Sequence, residues 1–198
     1  QNMAGFVQLT IRKEQELNTP GTNVTIRHAE ILQHPPYGPY DGSLYYENLR
    51  SALATDIYIV NGDRKYVTYS PTFTQHGFRY CEIFGLNKAP TMNDIVAYEM
   101  HTDLVQHGNI KFSSTLFNQI QSNVIRGQKS NFMSIPTDCD QRDERLGWMG
   151  DTGLTAEEAT YNFGTGAFYT GYLNLIQDAQ NRSTGSVPNF VPNIGHTK

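Results

Sequence analysis

Residues Asp138 to Asp151 read D-C-D-Q-R-D-E-R-L-G-W-M-G-D. Asp138, Asp140, Asp143, Glu144 and Asp151 share these fourteen positions with Arg142, Arg145 and the chain's one tryptophan, Trp148. Like charges this close repel unless they are solvated, paired with arginine, bound to a cation or used in proton chemistry. Trp148 and the glycines Gly147 and Gly150 speak against a merely solvated acidic loop. An indole offers a flat apolar face on which a sugar ring can stack, and polar groups around such a face suit a carbohydrate site. By residue type alone, a structural Arg–Asp network accounts for the same stretch.

With its upstream neighbours the stretch becomes S-I-P-T-D-C-D-Q-R-D-E-R-L-G-W-M-G-D, Ser134 to Asp151. This closely resembles the signature of the bacterial-type α-L-rhamnosidases, large inverting glycoside hydrolases in which it usually reads D-C-P-Q-R-D-E-R-L-G-W-x-G-D. Asp140 stands where that family usually has proline, which loosens the turn and adds a charge. The resemblance extends to N-M-A-G-F-V, V-T-I-R-H-A-E, Y-E-N-L-R-S-A-L-A-T-D and F-T-Q-H-G-F-R-Y. These look like the β-sandwich that precedes the catalytic barrel.

Outward from the signature, the pattern divides the chain in two. Residues 1 to about 104 carry short β-like runs: Phe6–Ile11, Val24–Leu32, Ala54–Val60, Tyr66–Tyr69, Phe78–Phe84 and Ile95–Met100. Turn signals separate them at T-P-G-T-N (Thr19–Asn23) and at N-G-D (Asn61–Asp63), the latter read as a hairpin turn. His34–Gly42, with three prolines and two glycines, is incompatible with regular structure. Such spacing predicts an antiparallel sandwich or jelly roll.

Beyond it, Ser113 or Ser114 is a candidate N-cap, and Leu116, Phe117, Ile120 and Val124 fall on one face of a helix over 114–128. Thr155, with Glu158 three residues on, reads as a capping box opening a second helix. A break near Gly164–Gly166 leads into Phe168–Gln180, and the stretch from Arg182 to the end is loop-like. The expected organisation is α+β and multidomain: a β-sandwich over 1–107, then a helical part over 108–198. The resemblance makes the latter the opening helices of an incomplete (α/α)6 barrel. It implies that the chain is an internal piece of a longer enzyme, with helix faces left unburied.

A net charge of −4 provides no basic field for nucleic acid or an anionic membrane, and no apolar run is long enough to span a bilayer. The abrupt start at Gln1 shows no signal pattern and leaves the compartment open. Two cysteines, Cys81 and Cys139, make no disulfide framework: one bridge or two buried thiols. His28 with Glu30 and His76 with Arg79 read as structural pairs. His34, His101, His107 and His196 show no metal-ligand spacing, so neither metal nor cofactor is expected.

Glycoside hydrolysis needs a carboxylic acid that still holds its proton near neutral pH, and acidic neighbours or an apolar wall favour that form. Glu144 is flanked by Asp143 and lies four residues before Trp148. The resemblance assigns Glu144 the general-acid role and Asp138, Arg142, Trp148 and Asp151 the binding of rhamnose, with Asp143 and Arg145 supporting. It places the general base downstream of Lys198. Glu157, Glu158 and Asp178 have no likeness to that base's surroundings. The implied substrate is a rhamnosylated glycoside or polysaccharide. A non-catalytic rhamnose-binding module or inactive remnant is the alternative, and another glycosidase or a lyase on a similar barrel a third.

Overall fold

A computed structural model of the chain describes residues 1–15, 20–62 and 66–193. Thr19 and Asp63 of the two turn signals, His196 and the last five residues of the closing loop lie outside them. Two compact units emerge: Gln1–Met100 with Gln141–Asp143, and His101–Asp140 with Glu144–Lys198.

The first unit is an antiparallel sandwich. β1 (Met3–Arg12) is central to one sheet, pairing with β4 (Tyr66–Tyr69), β5 (His76–Phe78) and β7 (Ile95–Glu99). β2 (Asn23–Ala29) is central to the other, between β3 (Thr55–Ile59) and β6 (Tyr80–Phe84). The period-two pattern of β1 sends Val7, Leu9 and Ile11 inward to meet Val24 and Ile26 of β2, with Val60 and Phe78. Each such side chain contributes about 1.5–3 kcal/mol by burial. A side chain at Gly5 would strike the Tyr98 carbonyl oxygen, so β1 and β7 approach this closely only over a glycine.

Two sequence expectations fail here, for one reason. β3 and β4 do not form the hairpin expected around N-G-D, because they belong to different sheets. Phe78–Phe84 is not one strand: β5 ends at Phe78, β6 begins at Tyr80, and the chain changes sheet at Arg79, whose N–H bonds the Ala29 carbonyl at 3.0 Å. Alternation reports which face a residue occupies, not which partner its strand takes. The strand expected over Val24–Leu32 ends early, at Ala29.

In the second unit, α1 (Thr115–Asn131) leads through a two-strand ribbon, β8 (Phe132–Met133) and β9 (Ile135–Pro136), to α2 (Met149–Asn162) and α3 (Gly166–Ala179). Phe132, Ala159, Phe163 and Phe168 form its core, with Leu104, Ile125 and Tyr169 packed against them. Ser114 is the N-cap of α1, but its side chain makes no capping bond. Asn118 clasps the entering chain instead, accepting from Phe112 N–H at 2.8 Å and donating to Phe112 O at 2.9 Å. The expected apolar face is largely exposed: Leu116, Phe117 and Ile120 are 64%, 54% and 48% accessible.

α2 begins six residues before the expected Thr155. Asp151 sits in its first turn, where the helix dipole favours a carboxylate. Thr152 and Thr155 donate back to the carbonyls of Trp148 and Asp151, both at 2.9 Å. These threonines are inside the helix, not capping it. Glu158 accepts from Gln128 Nε2 at 2.6 Å and from Asn162, so the capping box does not form.

Candidate active site

The stretch from Ser134 to Asp151 is pinned along its length. Thr137 N–H and Oγ1 both bond Asn131 O at 2.8 Å, and Asp138 N–H bonds Leu146 O at 3.0 Å. Met149 N–H reaches Asn189 O and Val191 N–H reaches Gly147 O, each at 2.9 Å. The Tyr172 hydroxyl donates to Gly147 O at 2.7 Å. A Cβ at Gly147 would strike Val191 O and crowd Ile135 and Tyr172. Ser134, Cys139 and Arg145 adopt positive φ of 65°, 60° and 53°, a conformation L residues rarely take. Strain of this kind clusters where a loop must present groups for function.

Trp148, at the N-cap of α2, donates its indole Nε1–H to Glu144 Oε1 at 2.7 Å. Its ring stands edge to face with Phe190, centroids 5.2 Å apart. Asp138, Cys139 and Glu144 each bring a ligand-type atom within 4.8 Å of the others, and Cys139 Sγ lies 3.3 Å from Asp138 Oδ2. The structure therefore gathers Asp138, Glu144 and Trp148 at one place.

Asp138 and Asp151 also line a common cavity of about 350 Å³, with Gln128, Thr152 and Glu158 among its walls. Burial raises the Glu158 carboxyl, and hydrogen bonds from Asn162 and Gln128 oppose the rise. Glu144 and Trp148 do not line that cavity. Buried Asp140 faces Arg145: burial lowers the guanidinium from its usual value, and the Asp140 carboxylate works against that. Asp143 lies, with Arg142, in the segment that groups with the sandwich. Its Oδ2 accepts from the Ser51 hydroxyl and from Ser51 N–H at 3.3 Å, and its Oδ1 is 3.8 Å from Arg50 Nη1.

Residues 1–101 match the family described as the bacterial alpha-L-rhamnosidase concanavalin-like domain, and residues 105–198 the bacterial alpha-L-rhamnosidase 6 hairpin glycosidase domain. The chain belongs to the bacterial α-L-rhamnosidase family. An α-L-rhamnosidase of Streptomyces avermitilis is 39% identical over 196 residues, which are 99% of this chain and 18% of that protein. The solved structure of an α-L-rhamnosidase from Dictyoglumus thermophilum superposes with a TM-score of 0.88 at 46% identity, covering 98% of this chain and 20% of that one. A Streptomyces avermitilis α-L-rhamnosidase complexed with L-rhamnose gives 0.89 at 39%, covering 98% and 18%. The chain thus spans about a fifth of the length of the relatives it matches.

In this chain the three helices fall in the part matched by the six-hairpin glycosidase domain, and the two larger sheets in the part matched by the concanavalin-like domain. No helix among the described residues is long and apolar enough to cross a membrane. Cys81 and Cys139 are not joined in a disulfide, and each is half-buried.

One cluster escaped the sequence reading. His28, Asp56 and His76 meet inside the sandwich: the His28 and His76 rings stack at 4.2 Å, and His76 Nε2 is 3.0 Å from Asp56 Oδ1. His28 Nδ1 lies 3.1 Å from Ala54 O. Three donor atoms lie within 4.8 Å of one another, an arrangement drawn from β2, β3 and β5. No spacing along the chain signals it, and the partners weighed for these histidines, Glu30 and Arg79, are not the ones they take. Near-parallel rings cannot both aim in-plane lone pairs at one ion, so we read the trio as a buried ring stack in which His76 bonds Asp56 and His28 bonds Ala54.

Proposed function

We propose that the protein containing this chain is an inverting α-L-rhamnosidase that removes terminal α-L-rhamnose from glycosides or polysaccharides, with Glu144 as general acid. The observation that carries this reading is the bond from Trp148 Nε1 to Glu144 Oε1. An indole nitrogen only donates, so Oε1 is committed as an acceptor and the transferable proton belongs on Oε2. From there it passes to the glycosidic oxygen as the bond to the anomeric carbon breaks, and the aglycone leaves as a neutral alcohol.

Asp138, Arg142 and Asp151 supply acceptors and a donor fork for the sugar hydroxyls, and the Trp148 ring packs on the pyranose or its C6 methyl. Arg145 supports the loop through Asp140.

Inversion requires a second carboxylate some 6.5–9.5 Å from the acid, leaving room for the attacking water. Asp138 offers an oxygen within 4.8 Å of Glu144, too close for that task. We therefore assign Asp138 to substrate binding and take the base from the remaining length of the protein.

The test is hydrolysis of p-nitrophenyl α-L-rhamnoside by the full-length protein, beside Glu144→Gln, with the first-formed sugar anomer read by NMR. The expected result is β-L-rhamnose from the parent and a variant slowed by roughly 100-fold or more. Rhamnose binding without hydrolysis would overturn the enzyme reading in favour of a binding module.

A further inference from the structure

We infer that Asp143 is the positioning residue for Glu144, fastening the backbone just ahead of the acid to Ser51 and Arg50. The inference rests on the reading of Glu144 as general acid. One carboxylate here takes two donors from Ser51, the hydroxyl and the N–H at 3.3 Å, and is ion-paired with Arg50, whose Nη1 lies 3.8 Å away.

The receiving side is built for the purpose. A short 3-10 turn, Glu47–Leu49, buries Leu49 and hands the chain to Arg50, whose φ of 58° and ψ of −118° lie outside the conformations L residues favour. Arg50 N–H holds Glu47 O at 3.2 Å, and Ser51 follows with both donors turned to Asp143. Those hydrogen bonds, together with the Arg50 cation, keep the Asp143 carboxyl below its ordinary value and hence ionised at neutral pH.

On the other side of Glu144, Arg145 turns through its φ of 53°, and Leu146 O accepts from Asp138 N–H. Glu144 thus follows directly on the anchored Asp143, with Trp148 on its Oε1. A third of the Asp143 side chain is exposed, so as an ion pair it does little for stability. As a tether beside a proton donor it matters more, because displacement by about 1 Å can cost a factor of 100 in rate.

The experiment compares the full-length protein with Ser51→Ala, Asp143→Ala and Ser51→Thr on aryl α-L-rhamnosides whose phenols run from acidic to weakly acidic. The more acidic the phenol, the less its departure depends on the proton from Glu144. The expected result for both alanine variants is a kcat reduced roughly 10- to 100-fold on the weakly acidic phenols, shrinking toward parity on the most acidic. KM should change little. Ser51→Thr, which keeps the hydroxyl, should recover most of the loss.

The ratio between substrates is internal to each variant, so partial unfolding, which scales all rates alike, does not imitate it. A uniform loss across the series, or no rescue by threonine, would overturn the positioning role alone. A parent protein inactive on every aryl rhamnoside would overturn the general-acid reading and this inference with it.

Discussion

Trp148 and Glu144 are joined across one turn of chain by a 2.7 Å hydrogen bond from the indole Nε1 to Oε1 of the carboxyl. The bond engages one oxygen of the Glu144 carboxyl as an acceptor, so the indole holds that side chain by a donor as well as by its apolar face.

Trp148→Phe should separate these two tasks. Phenylalanine keeps an aromatic face against Phe190 but has no donor. We expect kcat of the full-length protein on p-nitrophenyl α-L-rhamnoside to fall by about 10- to 100-fold with KM nearly unchanged. A large rise in KM at constant kcat would instead show the ring to be a binding surface only. Steady-state kinetics decide.

Gly147→Ala tests the packing under the loop. The new Cβ meets the Val191 carbonyl oxygen, which is backbone and cannot swing aside, and crowds Tyr172, whose hydroxyl bonds Gly147 O. A loss of about 1–3 kcal/mol of stability is expected, with activity lost as Trp148 shifts. Thermal unfolding at neutral pH measures the first; an unaltered midpoint would contradict the crowding.

The pH dependence of the sandwich follows from His28. Burial, and then the neighbouring His76, push its pKa from 6.5 down to about 4, while the Ala54 carbonyl and Asp56 oppose this. The folded value lies below the unfolded one, so the neutral ring is favoured in the fold. The associated stability is complete above pH 6.5 and is lost as pH falls from there toward 4. The interval is worth about 3 kcal/mol. Amide exchange of β2 and β3, corrected for intrinsic rates, should reveal a steady loss of protection between pH 6.5 and 5. Protection that stays flat across that range would mean that His28 takes up its proton in the fold over the same pH range as in the unfolded chain.

Cys81 should behave as a sluggish thiol. Burial raises its pKa above the ordinary value, which lowers the thiolate fraction at neutral pH. Under native conditions at pH 7.5 an aromatic disulfide reagent should modify it far more slowly than in denaturant, as followed by peptide mass spectrometry. Equal rates would show the site to be open.

Much of the candidate site was legible from local chemistry. Trp148 and Glu144 are four residues apart, Asp138 and Leu146 lie in one short loop, and all fall inside the quoted stretch. The start of α2 was misread because Thr155 and Glu158 copy a capping pattern, whereas the glycine-containing turn before them is helical already. The cavity wall formed by Gln128 and Glu158 gave no signal, since those residues meet across two helices.

By itself, the sequence determined the alternating strands, the helical stretches and the carboxylate–arginine–tryptophan loop, because period, turn chemistry and short-range spacing act within a few residues. Tertiary structure alone decided that β3 and β4 part to different sheets and that the chain changes sheet at Arg79. It also decided that His28 finds Asp56 and His76, and that Asp143 finds Ser51 across 92 residues. Those outcomes depend on which distant surfaces meet when the two sheets close, and no local propensity encodes that choice.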